Sequence, residues 1–360
     1  MATKTLPGWI ACLMTRSTSH NRPTARPLRV GFVPLCDCAP IVMAHELGLF
    51  SRHGLEVELS REVGWATIRD KIVYRELDAA QATAPLLFAA SLGLGCPRTE
   101  CLTGLVLNLQ GNAITLSHRL WASGVRDGAT LLEFVRSRPA EPPLTLGVVS
   151  RFSAHNFLLR KWLRTQGIDP ERQAQIVALP PPQMPPSLKT GNLDGYCVGE
   201  PWNSEAVAKQ TGWIVATSAS IEPLHPEKAL MVRREFAESR ADDHTRLLAA
   251  LYEACAFCDR AENRERIVRT LARPGYVNAP AAVLRASLGG PLDLGWGRQE
   301  TNPEFHIFAR HDANDPNPAR AAWVLENLLA SGAVPAGTLI APDLGRKVFR
   351  RDLFLKARGA

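Results

Sequence analysis

Hydrophobic and polar residues alternate along the chain with two periods, one typical of strands and one typical of helices, from Leu28 onward. Runs of period two predict strands, and apolar positions three and four residues apart predict helices. The first part of the chain is predicted to hold strands at 28–34, 55–60 and 79–84 and helices at 39–53, 67–76 and 85–92. We expect Thr67 to cap the second of these helices and Pro85 to open the third. This order predicts a parallel sheet with helices on both faces.

A second series of strands and helices follows. Strands are predicted at 102–116, 144–149, 175–179, 193–198, 212–217 and 229–233, and helices at 153–165, 187–191, 242–263 and 320–330. The pattern predicts two α/β lobes with a ligand in the cleft at the carboxyl ends of the strands. The expected boundaries are a disordered basic leader at 1–27, lobe 1 at 28–116 plus 218–360, and lobe 2 at 117–217.

The composition excludes several classes of protein. With 360 residues, 46% hydrophobic and 21% charged, the chain is long enough for two domains and is not mainly disordered. Charges or prolines interrupt every apolar run before the roughly 18 residues that a membrane-spanning helix needs. The net charge of +7 is concentrated in residues 1–30 and 346–360, and the body between them is slightly acidic. This distribution does not indicate direct binding of nucleic acid.

The eight cysteines lie mostly in apolar runs, which is typical of buried thiols in a reducing compartment. Cys255 and Cys258 form a C-x-x-C pair, but no second pair stands at the spacing of a zinc site, so we expect no metal. The apolar patch at 9–14 is shorter than the core of a secretory signal. We therefore expect a cytoplasmic protein, with a periplasmic, membrane-associated protein as the alternative.

Short polar and aromatic segments follow several predicted strands, at the edge where ligands bind in α/β folds. They are 64–67, 111–113, 154–156, 199–203 and 225–228. A single tryptophan is more often part of a core, and a single histidine at a helix start is more often a cap. Five such segments at the strand ends of two lobes together favour a binding site. The sequence has no G-x-x-x-x-G-K-[ST] or G-x-S-x-G motif for nucleotide or hydrolase chemistry.

These segments also carry a resemblance. The most specific strings are Trp65-Ala-Thr-x-Arg69-Asp70 and Cys197-Val-Gly-Glu-Pro-Trp-Asn203. Further matching strings are Asp37–Pro40, Ala44–Phe50, Glu56–Glu62, Gly111–Thr115 and His225–Lys228. Over roughly residues 28–355 the chain resembles the NrtA/CmpA/NasS family, which comprises the substrate-binding proteins of nitrate and bicarbonate ABC transporters and a cytosolic nitrate/nitrite sensor.

The resemblance implies a two-lobed, type II periplasmic-binding-protein fold with the ligand between the lobes. Nitrate stays ionised at physiological pH, so its site needs hydrogen-bond donors and positive charge rather than an unpaired carboxylate. By the family's pattern, Lys228 supplies the charge and Trp65 packs its ring against the planar face of the ion. His155 and Asn112 are expected to donate to the oxygens. The ligand-binding set that we expect also includes Thr67, Glu200 and Trp202.

Two features of the set bear on the identity of the anion. Asn112 stands where related proteins carry a glutamine-like amide, and its shorter side chain either shifts the position of the ion or favours the smaller nitrite. Bicarbonate-binding relatives, by the same resemblance, replace the lysine with an acid and recruit a divalent cation. Lys228 therefore argues for nitrate or nitrite without a metal or other cofactor.

The resemblance leaves three roles open. The first is a cytosolic sensor that holds an RNA-binding antiterminator protein inactive until the anion binds. The second is the substrate-binding component of an ABC transporter with a permease and an ATPase. The third is an enzyme like the thiamine-pathway pyrimidine synthases, which share the fold and use a cysteine-rich segment similar to Cys36-Asp-Cys38. Because a single C-x-C is a weak match, we expect a binding protein and no enzyme.

Overall fold

A computed structural model describes residues 26–140 and 142–359. Its strands are β1 (Leu28–Phe32), β2 (Val57–Arg61), β3 (Ala79–Thr83), β4 (Cys101–Leu102), β5 (Val106–Gln110), β6 (Asn112–Ser117), β7 (Leu144–Val148), β8 (Ala174–Ala178), β9 (Gly195–Gly199), β10 (Gly212–Thr217), β11 (Pro226–Arg233), β12 (Leu292–Gly295), β13 (Arg298–Glu300) and β14 (His306–Ile307). Short 3-10 turns lie at Cys36–Cys38, Pro181–Gln183 and Ala261–Asn263.

The α-helices lie between these strands and after them. They are α1 (Ala39–Glu46), α2 (Leu49–Arg52), α3 (Trp65–Val73), α4 (Ala84–Leu92), α5 (His118–Ala122), α6 (Gly128–Arg136), α7 (Ala154–Thr165), α8 (Met184–Lys189), α9 (Trp202–Ala208), α10 (Ser218–Ile221), α11 (Arg234–Ser239), α12 (Ala241–Asp259), α13 (Arg264–Leu271), α14 (Ala281–Gly289), α15 (Pro318–Ala330), α16 (Leu344–Val348) and α17 (Arg351–Arg358). Within the described ranges, no helix is long and apolar enough to cross a membrane.

The first sheet has the strand order β14-β5-β11-β3-β1-β2, with β4 also paired to β11. Strand β1 is parallel to β2 and β3, but β11 is antiparallel to both β3 and β5. The expected parallel sheet is therefore wrong for half of this lobe. The reason is that the chain leaves for the second lobe and returns as β11, which inserts in the opposite direction.

The second sheet has the order β10-β6-β9-β7-β8, with β7 parallel to β8 and β9 and with β6 antiparallel to its neighbours. Because β6 belongs to this sheet, the lobe boundary expected after residue 116 lies before Asn112. The segment expected as one strand over 102–116 is divided into β4, β5 and β6. Gly111 makes the last division with a φ of +88°. The β12–β13 hairpin also packs on this lobe, against α9 and β10.

Several helix boundaries differ from the expected ones. The helix expected over 39–53 is two helices, because Gly48 between them has a left-handed φ of +68°. The helix expected to begin after Thr67 begins at Trp65, so Thr67 is not its N-cap. The cap at Ser153 is confirmed, since its side chain accepts a hydrogen bond from the backbone of Asn156.

The expected leader falls almost entirely outside the described residues. At its end, Arg26 donates two hydrogen bonds to the buried carboxylate of Asp78, at 2.8 and 2.7 Å. Residue 26, which the expected leader includes, therefore contacts the first lobe.

Side chains from both lobes form one hydrophobic cluster. It includes Trp65 and Phe88 from the first lobe and Phe152, Tyr196 and Trp202 from the second. The indole nitrogen of Trp202 donates to the carbonyl of Pro34 across the boundary, at 3.1 Å. Helix α15 spans the junction, with contacts to α4 and α7. The polar residues between the lobes are consequently closed off from solvent.

Gly111, where the chain passes from β5 of the first lobe to β6 of the second, should not tolerate a side chain. A Cβ at this position would lie 2.5 Å from the imidazole of buried His306, in addition to the strain of the left-handed φ. We expect Gly111→Ala to lower the free energy of unfolding by about 2–4 kcal/mol, from overpacking and backbone strain together. Urea denaturation measures this quantity.

Gly124 offers a matched control, because its φ is +90° and a Cβ added there would have no other atom within 4 Å. Gly124→Ala should lower the free energy of unfolding by only about 1–2 kcal/mol, the cost of backbone strain alone. Equal losses in the two variants would show that the contact with His306 has no energetic weight.

Candidate anion-binding site

A bulge in β11 brings two neighbouring side chains together. Lys228 pairs with Asn108 of β5 and Pro226 pairs with Leu109, which leaves Glu227 as the extra residue. In a regular strand, successive side chains point to opposite faces, and a bulge redirects one of them. Here Glu227 Oε1 lies 2.6 Å from Lys228 Nζ, and both side chains are fully buried.

The first lobe supplies the other neighbours of Lys228. Asp37 Oδ2, from the turn after β1, lies 2.8 Å from Lys228 Nζ. The other oxygen of Asp37 accepts a hydrogen bond from Gln81 of β3, which fixes the carboxylate in place. Trp65, the first residue of α3, places its ring centroid 5.3 Å from the ammonium, within reach of a cation–π interaction. Lys228 is thus held by two carboxylates and one aromatic ring.

The carboxylate of Glu227 contacts residues of the second lobe and of the segment that returns from it to β11. Asn112 Nδ2 donates to Glu227 Oε2 at 2.6 Å. His155, at the start of α7, places Nδ1 3.7 Å from Oε1, and His225 places Nε2 3.4 Å from Oε2. Groups from both lobes therefore meet at one planar carboxylate. We call Asp37, Trp65, Asn112, His155, His225, Glu227 and Lys228 the Lys228 cluster.

Burial and charge act in opposite directions on the ionisable members. Burial opposes the charged form of Lys228, but Asp37 and Glu227 outweigh it and raise the pKa of the ammonium. Burial likewise opposes ionisation of Glu227, yet Lys228 holds its pKa well below the usual range. For Asp37 burial prevails over the lysine, and its pKa is raised. Burial lowers the pKa of His155 to about 3, so this ring is neutral at physiological pH.

Several buried polar atoms of the cluster lack a hydrogen-bond partner among the described residues. They are Trp65 Nε1, both ring nitrogens of His155, His225 Nε2 and Asn112 Oδ1. Most buried donors and acceptors in proteins are paired, so a concentration of unpaired ones indicates a place built for hydrogen bonds to something else. Trp65 contributes an N–H here in addition to the ring face that the sequence predicts.

The structure thus brings together four of the residues predicted from the sequence: Lys228, Trp65, Asn112 and His155. The other three have different surroundings. Thr67 is half-buried on α3, and none of the described side chains links it to the cluster by a hydrogen bond. The N–H of Trp202 is occupied by the carbonyl of Pro34. Glu200 accepts hydrogen bonds from Ser204 N and Ser287 Oγ, at 3.1 and 2.9 Å, and burial raises its pKa.

Sequence reasoning missed Asp37, Gln81, His225 and Glu227. All but Gln81 lie inside the matching strings, and the adjacent Glu-Lys pair in a buried strand was a usable signal. Gly199 was also missed as a packing requirement. A Cβ there would lie 3.3 Å from Asn112 Oδ1 and 3.4 Å from Asp37 Oδ2, so only glycine leaves this wall of the cluster free.

The cysteines and acidic residues give no sign of a metal centre. No group of three or more His, Cys, Asp or Glu side chains in the part of the chain that the structure describes is placed to hold an ion. The seven cysteines within those ranges are free thiols, and Cys12 lies outside them. Burial raises the pKa of Cys255 and Cys258, as expected for packed thiols.

Comparison with known proteins fixes the family. The model of the NMT1-like family matches residues 21–272. The chain belongs to the NMT1-like family. This match covers β1 through α13, including every member of the Lys228 cluster. The resemblance to substrate-binding proteins is thereby confirmed at the level of the family, and the relatives below confirm its nitrate and bicarbonate branch.

Relatives with similar sequences are named for anion transport. The chain is 39% identical to the nitrate import ATP-binding protein NrtC of Synechocystis over 92% of its own length and 49% of NrtC. It is 36% identical to the bicarbonate transport ATP-binding protein CmpC of Synechococcus elongatus over 86% of its length and 46% of CmpC. The chain therefore spans about half the length of these curated relatives.

A solved structure confirms the fold. The periplasmic nitrate-binding protein NrtA of Synechocystis superposes with a TM-score of 0.86 and 26% identity, over 94% of this chain and 90% of NrtA. The expected type II periplasmic-binding-protein fold is correct. The relatives compared here are named for nitrate binding and for nitrate and bicarbonate transport, which favours a binding protein over a thiamine-pathway enzyme.

Buried neutral histidines should make the fold sensitive to acid. Burial lowers the pKa of His155 and His306 to about 3 and that of His244 to about 4. The unfolded chain protonates these rings below about pH 6.5, so it binds more protons than the folded chain and stability falls as the pH falls from there. For each ring, we expect the free energy of unfolding to be about 2 kcal/mol lower at about pH 5 than at about pH 7.5.

Urea denaturation at the two pH values measures this loss. On acidification, the free energy of unfolding of His155→Gln should fall by about 2 kcal/mol less than that of the unsubstituted protein. The reason is that unfolding of the variant takes up one proton fewer. His45→Gln is the control, since His45 is exposed on α1. An acid sensitivity that His155→Gln leaves unchanged would mean that His155 already takes up its proton in the folded state.

Proposed function

We propose that the protein binds nitrate or nitrite between its lobes, at the Lys228 cluster. The observation that carries the proposal is the setting of the Glu227 carboxylate. This planar oxyanion contacts Lys228 and Asn112 by hydrogen bonds of 2.6 Å, with His155 and His225 within 4 Å. A donor set that accommodates one planar oxyanion has the charge and shape to accommodate another.

The incoming ion takes its contacts from groups of both lobes. We assign them to the ammonium of Lys228, to the N–H of Trp65, whose ring centroid lies 5.3 Å from that ammonium, and to the single N–H of neutral His155. Only the closed arrangement lets one small ion touch all three, so binding favours closure through contacts that the open form lacks. Asn112 is engaged by Glu227 and reaches the ion only if that hydrogen bond is exchanged.

The carboxylates set the electrostatic condition for binding. Lys228 is shared between Asp37 and Glu227, and a third anion beside it requires that one negative charge be removed or displaced. Asp37 is suited to take up a proton, because burial already raises its pKa. In this proposal, Asp37 is neutral when the anion is bound and Glu227 remains the partner of the lysine.

The relatives support a small oxyanion as the ligand. NrtC and NrtA are named for nitrate and CmpC for bicarbonate. We favour nitrate or nitrite because Lys228 supplies positive charge inside the site without a cation. Like the transport proteins that it resembles, the protein would work with a permease and an ATPase, and we propose that it serves as their ligand-binding component.

Two exchanges at the cluster test the proposal by calorimetry with nitrate in the presence of a chelator. Glu227→Gln removes a negative charge next to the bound ion and keeps the side-chain shape, so nitrate should bind more tightly, by roughly tenfold. Lys228→Ala removes a charge-assisted hydrogen bond, and nitrate should bind on the order of tenfold to a hundredfold more weakly.

The first exchange also separates nitrate from bicarbonate. In a site where a cation bridges the protein and bicarbonate, Glu227 would hold the cation, and Glu227→Gln would weaken binding. Trp65→Phe serves as the conservative variant, since it removes one N–H and keeps the aromatic ring. Binding that needs added calcium, or affinity that is unchanged in both Glu227→Gln and Lys228→Ala, would contradict the proposal.

A regulatory role is the second candidate and rests on the same closure. A partner that recognises the open form must lose affinity when the anion closes the lobes, by the same factor by which it weakens anion binding. In this role the protein is a cytoplasmic sensor whose partner is an RNA-binding antiterminator. The burial of His155 and Trp65 at the junction gives the two forms different surfaces, as such a partner requires.

Capture of partners from the source cell's extract distinguishes the two roles. As a sensor, the protein should retain an RNA-binding antiterminator in the absence of nitrate and nitrite and release it when either is added. His155→Ala, which weakens closure, should retain that partner under both conditions. Retention of a permease and ATPase instead would assign the protein to transport and to the membrane surface.

A further inference from the structure

A second polar cavity is lined by residues outside the Lys228 cluster. It has a volume of about 380 Å³ and lies between the end of α14, the start of α13 and the segment before β14. Its walls include Arg264, Ser287, Leu288, Pro291, Phe305 and His306. None of these belongs to the Lys228 cluster. We call this space the Arg264 cavity.

One cation in its wall, Arg264, forms no salt bridge within the described ranges. Arg264 is partly buried, its Nη1 makes no hydrogen bond there, and its guanidinium lies 5.6 Å from the ring centroid of Phe308. The charge of Asp259 acts on it, but that carboxylate accepts its hydrogen bonds from Phe308 N and from Arg310 N and Nε, at 3.1, 2.7 and 3.0 Å. Burial lowers the pKa of Arg264, but a guanidinium remains charged at physiological pH. The cavity therefore has an excess positive charge at its wall.

A buried histidine adds an unpaired donor. His306 is only 4% exposed, it lines the cavity, and neither ring nitrogen has a hydrogen-bond partner among the described residues. Its ring is held parallel to Phe308, with centroids 5.9 Å apart and an interplanar angle of 3°. Burial lowers its pKa to about 3, so the ring is neutral and offers one N–H. A buried donor without a partner is uncommon in a protein interior.

The wall also contains apolar side chains. Leu288, Pro291 and Phe305 line the space together with the polar residues Asp259, Ser287, Thr301, Asn302 and Arg310. The volume is far larger than an inorganic ion needs and falls at the lower end of the range for small-molecule pockets. Convergent polar groups at one end and apolar side chains elsewhere are the usual lining of a site for an organic ligand.

From this arrangement we propose that the Arg264 cavity binds a small organic carboxylate, separately from the inter-lobe site. The carboxylate accepts hydrogen bonds from Arg264 and His306, and the apolar body packs against Leu288, Pro291 and Phe305. The required ligand is a monoanion, since one positive charge is uncompensated. Ser287 is not counted as a donor, because its hydroxyl is engaged with Glu200 at 2.9 Å.

Calorimetry on the full chain with benzoate as the probe tests the assignment. Benzamide is the neutral probe of the same shape, and inorganic phosphate is the anion without an apolar body. We expect benzoate to bind at least tenfold more tightly than either. Arg264→Gln should weaken benzoate binding at least tenfold and leave benzamide binding unchanged. His306→Phe, which keeps an aromatic ring, should weaken benzoate binding severalfold.

Two controls locate the binding. Arg266→Gln changes an exposed arginine on the same helix, and Lys228→Ala disables the proposed nitrate site, so both should bind benzoate within about twofold of the unsubstituted protein. If Lys228→Ala lost benzoate binding and Arg264→Gln retained it, benzoate would bind in the inter-lobe site. That result would overturn the proposal. No benzoate binding to the unsubstituted protein, or equal binding of phosphate, would also overturn it. None of these results depends on whether nitrate binds.

Discussion

The structure depends on keeping one ammonium charged in a dry interior. An isolated charge away from water is costly, and a buried pair is tolerated only when geometry and hydrogen bonds are good. Lys228 is fully buried at the junction of two lobes, and two carboxylates lie within 2.8 Å of its nitrogen. That requirement explains the bulge at Glu227, which a regular strand would not supply, and the position of Asp37 on a turn that Gln81 of the adjacent strand holds in place. The local irregularities of the first lobe are therefore consequences of one charge.

Glu227 links this ion pair to the movement of the lobes. Its carboxylate is shared by the lysine of the first lobe and the amide of Asn112, the first residue of the strand that opens the second lobe. An internal carboxylate that bridges the lobes stabilises the closed arrangement without a ligand. A ligand shifts the equilibrium only by the contacts it adds in the closed form relative to the open form. Those contacts come from the donors that Glu227 leaves unpaired, Trp65 Nε1 and a ring nitrogen of His155.

The sequence predicted the fold class and four members of the Lys228 cluster, because Trp65, Asn112, His155 and Lys228 lie in strings next to strand ends, where lobes of this kind converge. Asp37 and Glu227 were missed for a physical reason, since charge complementarity alone argues against carboxylates beside an anion, and a bulge is not encoded in periodicity. The direction of β11 was mispredicted because alternation of strands and helices predicts parallel pairing and contains no information on a return from another lobe. Thr67 lies two residues from Trp65 in the chain, but the turn of the helix separates it from the cluster, and Trp202 donates to Pro34 instead.

Charge balance sets what the cluster can accept. With Lys228 protonated and both carboxylates ionised, the cluster has an excess of one negative charge, and a bound monoanion would add a second. In a medium of low dielectric, such an arrangement is opposed by several kcal/mol, of the order given by two unit charges about 4 Å apart at an effective dielectric constant near 20. A proton on Asp37 removes one of the two charges, and burial has already moved the pKa of that carboxyl in the required direction. Nitrate has no proton of its own to contribute at physiological pH, so the proton must come from solvent and reside on the protein. In the proposed function, anion binding at this site is therefore also proton binding, and the carboxylates that first look misplaced would make that binding depend on pH.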